Sequence, residues 1–555
     1  MRDKKVTNKH NASRVIDAAL SCLTVASLLA LNSQLAQASP ETTSSATQAV
    51  QSAQPVTTPE WVLSVKDLLP VEEVSVADEF SLAETDVAQH TLVAAASGAH
   101  DKESDSAHVD QHQKGHGGHG KHEPRLSDEV LPYLTEKELG NRTAPLIELG
   151  GDFLGTGNIR KGFVMPGGAL WTPQLWVYGT GRTAYQQFER ATDTERNAEW
   201  VNRLDLFANL QLSGTERLLI GINPLHRENR FSGVTFAPDQ EDESFDEFNA
   251  DIRTLFFEGD LAELFPNWDI GDGKKNDIGF TFGRQAVIFQ DGMTINDTLD
   301  AVGFSKNNIR FEGVPWLVNW RSSVLYAWNE VNRENNQEDD AADLYAWFNQ
   351  WDTLKSTIDL DLIYIDSDTQ DSDQFVASLN FIQRFGKIAS TLRIAHSVAL
   401  EEESEFVGDG TLLFGEFNYV PAFTHDNLYL NVFVALDNYT SASRDPLAGG
   451  PLGRVGLLYA ASGLGSYPAP LSNRANDAVG FSAGYQKIND KKRRQLTVEI
   501  GARDSDADDL TQYGIAARFQ QALGKRVVFQ VDGFIADQDR ADSSYGVRME
   551  FLVKL

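Results

Sequence analysis

The chain ends on the stretch Tyr545-Gly-Val-Arg-Met-Glu-Phe-Leu-Val-Lys-Leu555, in which apolar and polar residues alternate almost to the last position. Alternate residues of a β-strand point to opposite faces, so Met549 and Phe551 share one face while Arg548 and Glu550 share the other. A strand of this kind separates an apolar environment from a polar one. Strands of similar length and pattern recur back to about residue 171, which favours a membrane-spanning barrel over a soluble sandwich.

The amino-terminal segment has the three parts of an export signal. Arg2 begins a positively charged stretch, an apolar run covers residues 18–30, and Ala36-Gln37-Ala38 offers small residues for cleavage. The apolar run is shorter than the roughly 20 residues that a membrane-spanning helix needs. We therefore predict a cleaved signal peptide over residues 1–38.

Cys22 is the single cysteine of the chain, and it lies inside the predicted signal peptide. The mature protein therefore has no thiol, which excludes disulfide frameworks, cysteine-ligated zinc sites and thiolate catalysis. The serine, histidine and acidic residues form no nucleophile motif. We predict that the protein is not an enzyme and requires no cofactor.

The composition excludes two further classes of protein. The chain of 555 residues is 41% hydrophobic, its mean hydropathy is -0.33, and no second long apolar run follows the signal. Helical membrane proteins are more apolar than this, whereas in a barrel only every second strand residue faces lipid. A formal charge of -32 argues against nucleic acid as a partner, because phosphate binding needs clustered lysines and arginines.

Residues 39–142 contain few aromatic residues and show no sustained periodicity, so we interpret them as a disordered periplasmic arm. Five histidines of this arm are candidate ligands for Zn, Cu or Ni: His108, His112, His116, His119 and His122. Closely spaced imidazoles on a flexible chain can wrap such an ion without a preformed cage. Two hypotheses stay open, a solvated spacer and an arm that collects metal or docks a periplasmic partner.

The alternating pattern fills residues 143–555 and allows eighteen strands to be assigned. They are predicted near 171–189, 199–212, 216–224, 249–257, 276–289, 304–313, 316–329, 341–349, 354–366, 373–384, 388–399, 411–419, 426–437, 478–487, 494–503, 512–520, 526–536 and 544–555. Bacterial barrels have an even strand count, short periplasmic turns and long external loops. We therefore predict an all-β fold, a transmembrane antiparallel up-and-down β-barrel in a Gram-negative outer membrane.

The connections agree with this orientation of the barrel. The predicted inner turns are mostly short, and the predicted outer loops, such as 366–373 and 504–509, are longer and acidic. Residues 438–477, rich in glycine and proline, form one large outer loop. This loop either covers the mouth of the barrel or folds into it, and the sequence leaves both alternatives open.

The stretch Gly283-Arg-Gln-Ala-Val-Ile-Phe-Gln-Asp-Gly-Met-Thr-Ile-Asn-Asp297, followed by Lys306-Asn-Asn-Ile-Arg-Phe311, resembles the alginate-export type of outer-membrane barrel. The resemblance implies an eighteen-stranded conduit for an acidic polysaccharide, with arginines lining the pore. Simple alternation instead places Arg284 with Phe280 and Phe282, so a β-bulge would be needed to bring Arg284 inside.

Alternation places charged residues of both signs inside the barrel. The candidates for the lumen wall and its selectivity are Arg203, Asp205, Arg321, Asp359, Asp361, Arg393, Glu499, Arg503 and Arg518. An exporter of polyanions would present a consistently positive constriction, so this mixture of signs leaves the substrate open.

These patterns predict an outer-membrane channel, a porin or an exporter, that passes hydrophilic solutes through a charged lumen. Acidic saccharides are one class of candidate solute. The expected partners are outer-membrane lipid, lipopolysaccharide, and small hydrophilic solutes or a polysaccharide. The second hypothesis is a plugged barrel that serves as an anchor or metal-collecting scaffold for a surface or periplasmic assembly.

Overall fold

The computed structural model describes residues 143–555, apart from 152–161, 192–195, 228–229, 237–242, 268–276, 335–336, 368–371, 401–402, 405–406, 423, 490–492 and 541. The predicted signal peptide and the histidine-rich arm lie outside the described residues and stay predictions, as do their boundaries. No helix in the described part of the chain is long and apolar enough to cross a membrane.

In the described residues, eighteen long strands pair antiparallel in sequence order and close into a barrel. They are β1 Gln174–Glu189, β2 Asn197–Gln211, β3 Arg217–Ile222, β4 Ile252–Asp260, β5 Ile278–Phe289, β6 Ile295–Ile309, β7 Leu317–Asn329, β8 Ala342–Thr353, β9 Ser356–Ser367, β10 Gln374–Phe385, β11 Ile388–Ala399, β12 Gly410–Tyr419, β13 Asn427–Tyr439, β14 Ala475–Asn489, β15 Arg494–Ser505, β16 Leu510–Leu523, β17 Val527–Gln538 and β18 Ser544–Lys554. Closure is made by β18 against β1, from Tyr545 opposite Glu189 to Lys554 opposite Thr180. The predicted fold class is confirmed.

Shorter elements lie in the connections of the barrel. The short strands are Ile147–Leu149, Phe163–Val164, Leu170–Trp171, His226–Arg227, Arg230–Thr235, Glu243–Phe245, Val331–Arg333, Gln337–Asp339 and Ser443–Arg444, and the helix α1 is Leu261–Leu264. We call the edge of the barrel that holds Gln174 and Lys554 the inner edge, and the opposite edge the outer edge. The inner connections are short apart from 261–277, whereas 223–251 and 440–474 at the outer edge are long.

The two faces of the strands differ as the alternation predicts. In β18, Met549 and Phe551 are exposed on the outside, while Arg548 and Glu550 are buried on the inside. Large apolar side chains are exposed on the outer face of the other strands as well. Such an exterior suits hydrocarbon, because a closed sheet presents no open edge of unpaired backbone groups.

The sixth strand begins earlier than predicted, at Ile295 instead of residue 304. Polar residues such as Asn296 and Asp297 made this stretch resemble a loop, but it pairs with β5 along its whole length. The carboxylate of Asp297 is buried and accepts hydrogen bonds from Asn332 and Ser443. These contacts come from other loops, so local alternation does not reveal the strand.

The outer end of the β5–β6 hairpin leaves the barrel wall. Strand β6 pairs with β7 only as far as Asp300, and β5 pairs with β4 only as far as Arg284. Beyond these points the chain turns into the interior, where Ile295 and Asn296 pair with the strand Ser443–Arg444. We call residues 285–299 the infolded tip and residues 440–474 the infolded loop.

Apolar side chains pack inside the barrel around these two segments, in its outer half. Around the infolded tip, Ile295 and Leu299 lie in one cluster with Leu325 and Ile363 of the wall. Around the infolded loop, Leu458 and Tyr459 lie in a second buried cluster with Phe414, Phe433 and Phe534 of the wall. The inward faces of several strands are therefore apolar near the outer edge, where alternation predicted a polar lumen.

The contact of the outer face with lipid can be tested by substituting arginine for two outward aliphatic residues of similar exposure. Ile500 is 53% exposed at the middle of β15, and Leu523 is 47% exposed at the inner edge. In lipid vesicles, Ile500→Arg should lower the free energy of unfolding by about 2–4 kcal/mol and Leu523→Arg by about 0–1 kcal/mol. Urea titration measures both, and equal losses would contradict a bilayer centred on the strands.

Candidate functional site

The infolded loop is held by polar side chains of the barrel wall. Arg182 and Arg203 donate to the carbonyl oxygen of Gly463 over 3.4 and 3.2 Å. The carboxylate of Glu499 accepts from the backbone N–H groups of Leu457 and Leu458 at 2.9 and 2.8 Å. A loop without regular structure has backbone groups that must be satisfied when it is buried, and the charged wall satisfies them.

Two glycines allow the infolded loop to lie this close to the wall. A side chain at Gly456 would collide with the carboxylate of Glu499 and the hydroxyl of Ser482. A side chain at Gly465 would collide with Gln186 and Glu199, and Gly465 also has a φ of +68°. Glycine tolerates both constraints because it has no Cβ.

Arg444 joins the infolded loop to two other segments. Its guanidinium donates to the carbonyl oxygen of Gly292 in the infolded tip and to that of Gly449 in its own loop. It also lies 3.6 Å from the carboxylate of Glu334, in the connection between β7 and β8. Burial raises the pKa of Glu334, and Arg444 and the N–H of Ser441 oppose this rise.

A series of ion pairs runs along the inward face of the barrel wall from β16 to β2. Asp532 binds Arg518 at 2.6 Å and Arg548 at 3.5 Å, and Glu550 contacts Arg548 and binds Arg182 at 2.6 Å. We call this set, together with the Arg203–Asp205 pair at 2.9 Å, the charge ladder. It contains four guanidinium groups and three carboxylates. Two guanidinium groups of the ladder, those of Arg182 and Arg203, contact Ser462 and Gly463 of the infolded loop.

The infolded tip places a carboxylate inside the barrel. Asp291 contacts the guanidinium of Arg393, a residue at the middle of β11, and its own side chain is 55% exposed while that of Arg393 is 1% exposed. Gln290 fixes the tip further, because it accepts from Arg393 at 2.9 Å and donates to Asp361 at 2.8 Å. As far as the described residues fill the interior, open space therefore reaches this carboxylate at the middle of the barrel.

Near the inner edge, the inward faces of β7, β8 and β9 are polar and partly exposed. Arg321, Gln350, Asp352 and Asp359 face inward from β7, β8 and β9 without being buried. Gln350 donates to Asp359 at 3.0 Å, and Asn319 donates to Asp352 at 3.3 Å. We call the space lined by these four side chains and Asp291 the vestibule. Its charges are three carboxylates and one guanidinium.

The structure places all nine predicted lumen residues on the inward face, but it divides them between different surroundings. Arg203, Asp205 and Arg518 belong to the charge ladder, and Glu499 holds the infolded loop. Arg321 and Asp359 line the vestibule, whereas Asp361 and Arg393 anchor the infolded tip. Arg503 is buried near the outer edge, where it pairs with Asp508. Their roles in selectivity stay predictions.

Arg284 does not reach the lumen, so the bulge considered for it is not formed at that position. It lies on the outer face of the wall and pairs with Asp300 at 2.8 Å and with Glu330 at 2.9 Å. The pore-lining arginine that the alginate-export resemblance implies is therefore not supplied by this residue.

Sequence reasoning missed several residues of the interior. Arg182 and Asp291 were not singled out, and Arg444 was included only in a long loop of undecided position. One signal was available in the cluster of glycines at 449, 450, 453, 456, 463 and 465, since such glycines often mark close approach of a backbone. A second signal was the run Leu362-Ile-Tyr-Ile365, which is apolar on both faces.

The structure does not test the predicted metal site. His108, His112, His116, His119 and His122 lie outside the described residues. Within the described part of the chain, no group of three or more histidine, cysteine, aspartate or glutamate side chains is arranged to hold a metal ion.

No family model and no curated protein matches this chain. Among solved structures it is similar to OccK2 (OpdF) of Pseudomonas aeruginosa, with a TM-score of 0.45, 12% identity, and coverage of 69% of this chain and 97% of that one. OprD of the same organism gives a TM-score of 0.44, 9% identity, and coverage of 71% and 96%. Wzi of Escherichia coli is an outer membrane protein involved in group 1 capsule assembly and a carbohydrate-binding β-barrel. It gives a TM-score of 0.41, 12% identity, and coverage of 67% of this chain and 84% of that one. Similarities this low establish neither a family nor an activity.

The role of Arg444 can be tested by hydrogen exchange. Arg444→Ala removes buried charge-assisted hydrogen bonds, so backbone amides of residues 440–474 should exchange roughly thirtyfold faster, which corresponds to about 2 kcal/mol of local stability. Arg540→Ala is the matched control, because Arg540 pairs with Asp509 on the exposed rim. Unchanged protection in Arg444→Ala would show that the infolded loop is held without this residue.

Proposed function

We propose that the protein is a channel of the Gram-negative outer membrane that passes small hydrophilic solutes through a narrowed lumen. The closed sheet, its apolar exterior and the predicted export signal support the location. The observation that most directly supports a channel is the half-exposed carboxylate of Asp291 inside the closed barrel. A barrel filled throughout would leave no exposed carboxylate at that depth.

The path for solutes begins at the inner edge in the vestibule and narrows toward the outer edge. The infolded tip and the infolded loop meet there, with residues 290–292 close to 451–454, and Arg454 lies within electrostatic reach of Asp291. Facing charges at such a constriction select solutes by charge, and the spacing between the two segments selects them by size.

The charges of the vestibule bear on the class of solute. Arg518 of the charge ladder is partly exposed and supports an acidic saccharide, as the sequence suggested. Three vestibule carboxylates, Asp291, Asp352 and Asp359, oppose that solute, and two guanidinium groups, Arg321 and the Arg393 that contacts Asp291, offset them only in part. We therefore propose a preference for neutral or cationic hydrophilic solutes over acidic ones.

A plugged barrel is the second candidate function. The packed apolar clusters favour it, because they fill the outer half of the interior around the two infolded segments. In that case the barrel would anchor an assembly, and the vestibule would be a closed cup. The two candidates differ in whether ions pass.

Conductance in a planar bilayer separates these functions. The channel predicts discrete current steps that grow with salt concentration, and replacing residues 449–471 with a short Gly-Ser linker should enlarge them. If the full chain carries no current and only the loop-replaced variant conducts, the protein is a plugged barrel. If neither conducts, the interior is closed by more than the infolded loop, and the channel is excluded.

Asp291 provides a test of selectivity within the channel. Asp291→Asn keeps an oxygen that can accept from Arg393 but removes the negative charge, so the cation-to-anion permeability ratio should fall roughly threefold. Reversal potentials in a salt gradient measure this ratio. Asp509→Asn is the control, since Asp509 lies exposed on the outer rim. Equal ratios in Asp291→Asn and the wild type would remove Asp291 from the conduction path.

The solute class can be tested by liposome swelling. A neutral disaccharide should enter faster than a uronic-acid disaccharide of the same size, because the vestibule repels the carboxylate. Faster entry of the uronate would support the acidic-saccharide interpretation instead.

A further inference from the structure

A small cavity lies inside the barrel between the infolded loop and strands β16, β17 and β18. Its volume is about 30 Å³, which is room for one or two water molecules or one compact ion. The lining residues on the loop include Leu457, Ser462, Tyr467, Pro468 and Pro470. Those on the wall include Ala516, Arg518, Asp532, Phe534 and Arg548.

Two buried donors at this cavity have no acceptor. The hydroxyl of Tyr467 and the Nε of Arg548 make no hydrogen bond to any described residue, although Tyr467 is only 9% exposed and Arg548 only 2% exposed. Buried polar groups are nearly always paired, because an unmet donor loses its bonds to water and gains none in return. Both groups donate, so the group that they lack is an acceptor.

The charges around the cavity indicate the sign of that acceptor. Arg518 and Arg548 line it together with one carboxylate, Asp532, so the lining of the cavity carries one net positive charge. The carboxylate of Glu499 lies near Arg518 but does not line the cavity, and it faces Tyr429 and two N–H groups of the loop instead. One negative charge in the cavity would balance the charge of its lining.

We propose that this cavity is a binding site for a compact monovalent anion, held by Arg548, Tyr467 and Arg518. The proline and leucine side chains of the loop limit the ligand to a halide or to the carboxylate group of a small acid. Bound there, the anion would join the infolded loop to the wall, because Tyr467 belongs to the loop and Arg548 to β18. The proposal does not depend on ion conductance, since a plugged barrel would contain the same cavity.

Chloride line-broadening NMR on the purified full chain in detergent tests the site. Wild-type protein should broaden the chloride signal beyond the effect of detergent alone, and acetate should displace the bound chloride. Arg548→Gln should abolish the excess broadening. Tyr467→Phe should weaken chloride binding about tenfold, the cost of one hydrogen bond to a charged group.

Tyr459→Phe is the matched control for Tyr467→Phe. Tyr459 is also a buried tyrosine of the infolded loop, but its hydroxyl donates to the carbonyl oxygens of Phe481 and Ala502 over 3.3 and 2.8 Å. Its loss should leave chloride binding unchanged. Chloride binding that acetate does not displace would still support the site and would restrict it to halides.

The proposal is overturned if Tyr467→Phe and wild-type protein broaden the chloride signal equally. Arg548→Gln alone would not decide the question, because Arg548 belongs to the charge ladder and the variant can fail to fold. Tyr467→Phe retains the ring, which packs against Phe188 and Phe534 with ring-centroid distances of 5.9 and 5.5 Å. Its folding is therefore expected to be intact, and its result stands by itself.

Discussion

Closure of the sheet between β18 and β1 is the constraint on which the remaining structure depends. A strand with an apolar outer face has no water there to satisfy unpaired backbone groups, so an open edge would be costly in a bilayer. Eighteen strands close the sheet, but they also enclose a wide interior. Each part of that interior must be either hydrated or packed with side chains. In this protein, both arrangements occur, in different regions of the barrel.

The outer half is packed by two segments of the chain itself. The infolded tip keeps regular strand pairing, whereas the infolded loop is irregular and depends on wall side chains for its backbone hydrogen bonds. Buried charges such as Arg182 and Glu499 are thereby satisfied by a loop and not by a solute. The same type of residue therefore has a structural role on one side of the barrel and faces the vestibule on the other.

Much of the fold could be predicted because the period of two is a local property. Seventeen of the predicted strands overlap the observed ones closely, and the sixth was wrong at its start, since Asp297 is buried by contacts from distant loops. The alternation of inward and outward residues also placed the nine lumen candidates on the inward face. It could not show which of them contact a loop, because residues such as Arg203 and Gly463 are far apart in sequence.

The barrel, its strand count and the inward or outward direction of most side chains could be inferred from the sequence alone, because each follows from alternation and connection length. The position of residues 440–474 follows only from tertiary contacts, and so does the burial of the inward charges that contact them, such as Arg203 and Glu499. The physical reason is that burial of a charge depends on what packs against it from across the lumen. Alternation predicts which face of the sheet a residue occupies, and packing of the infolded segments determines whether that face is exposed to water.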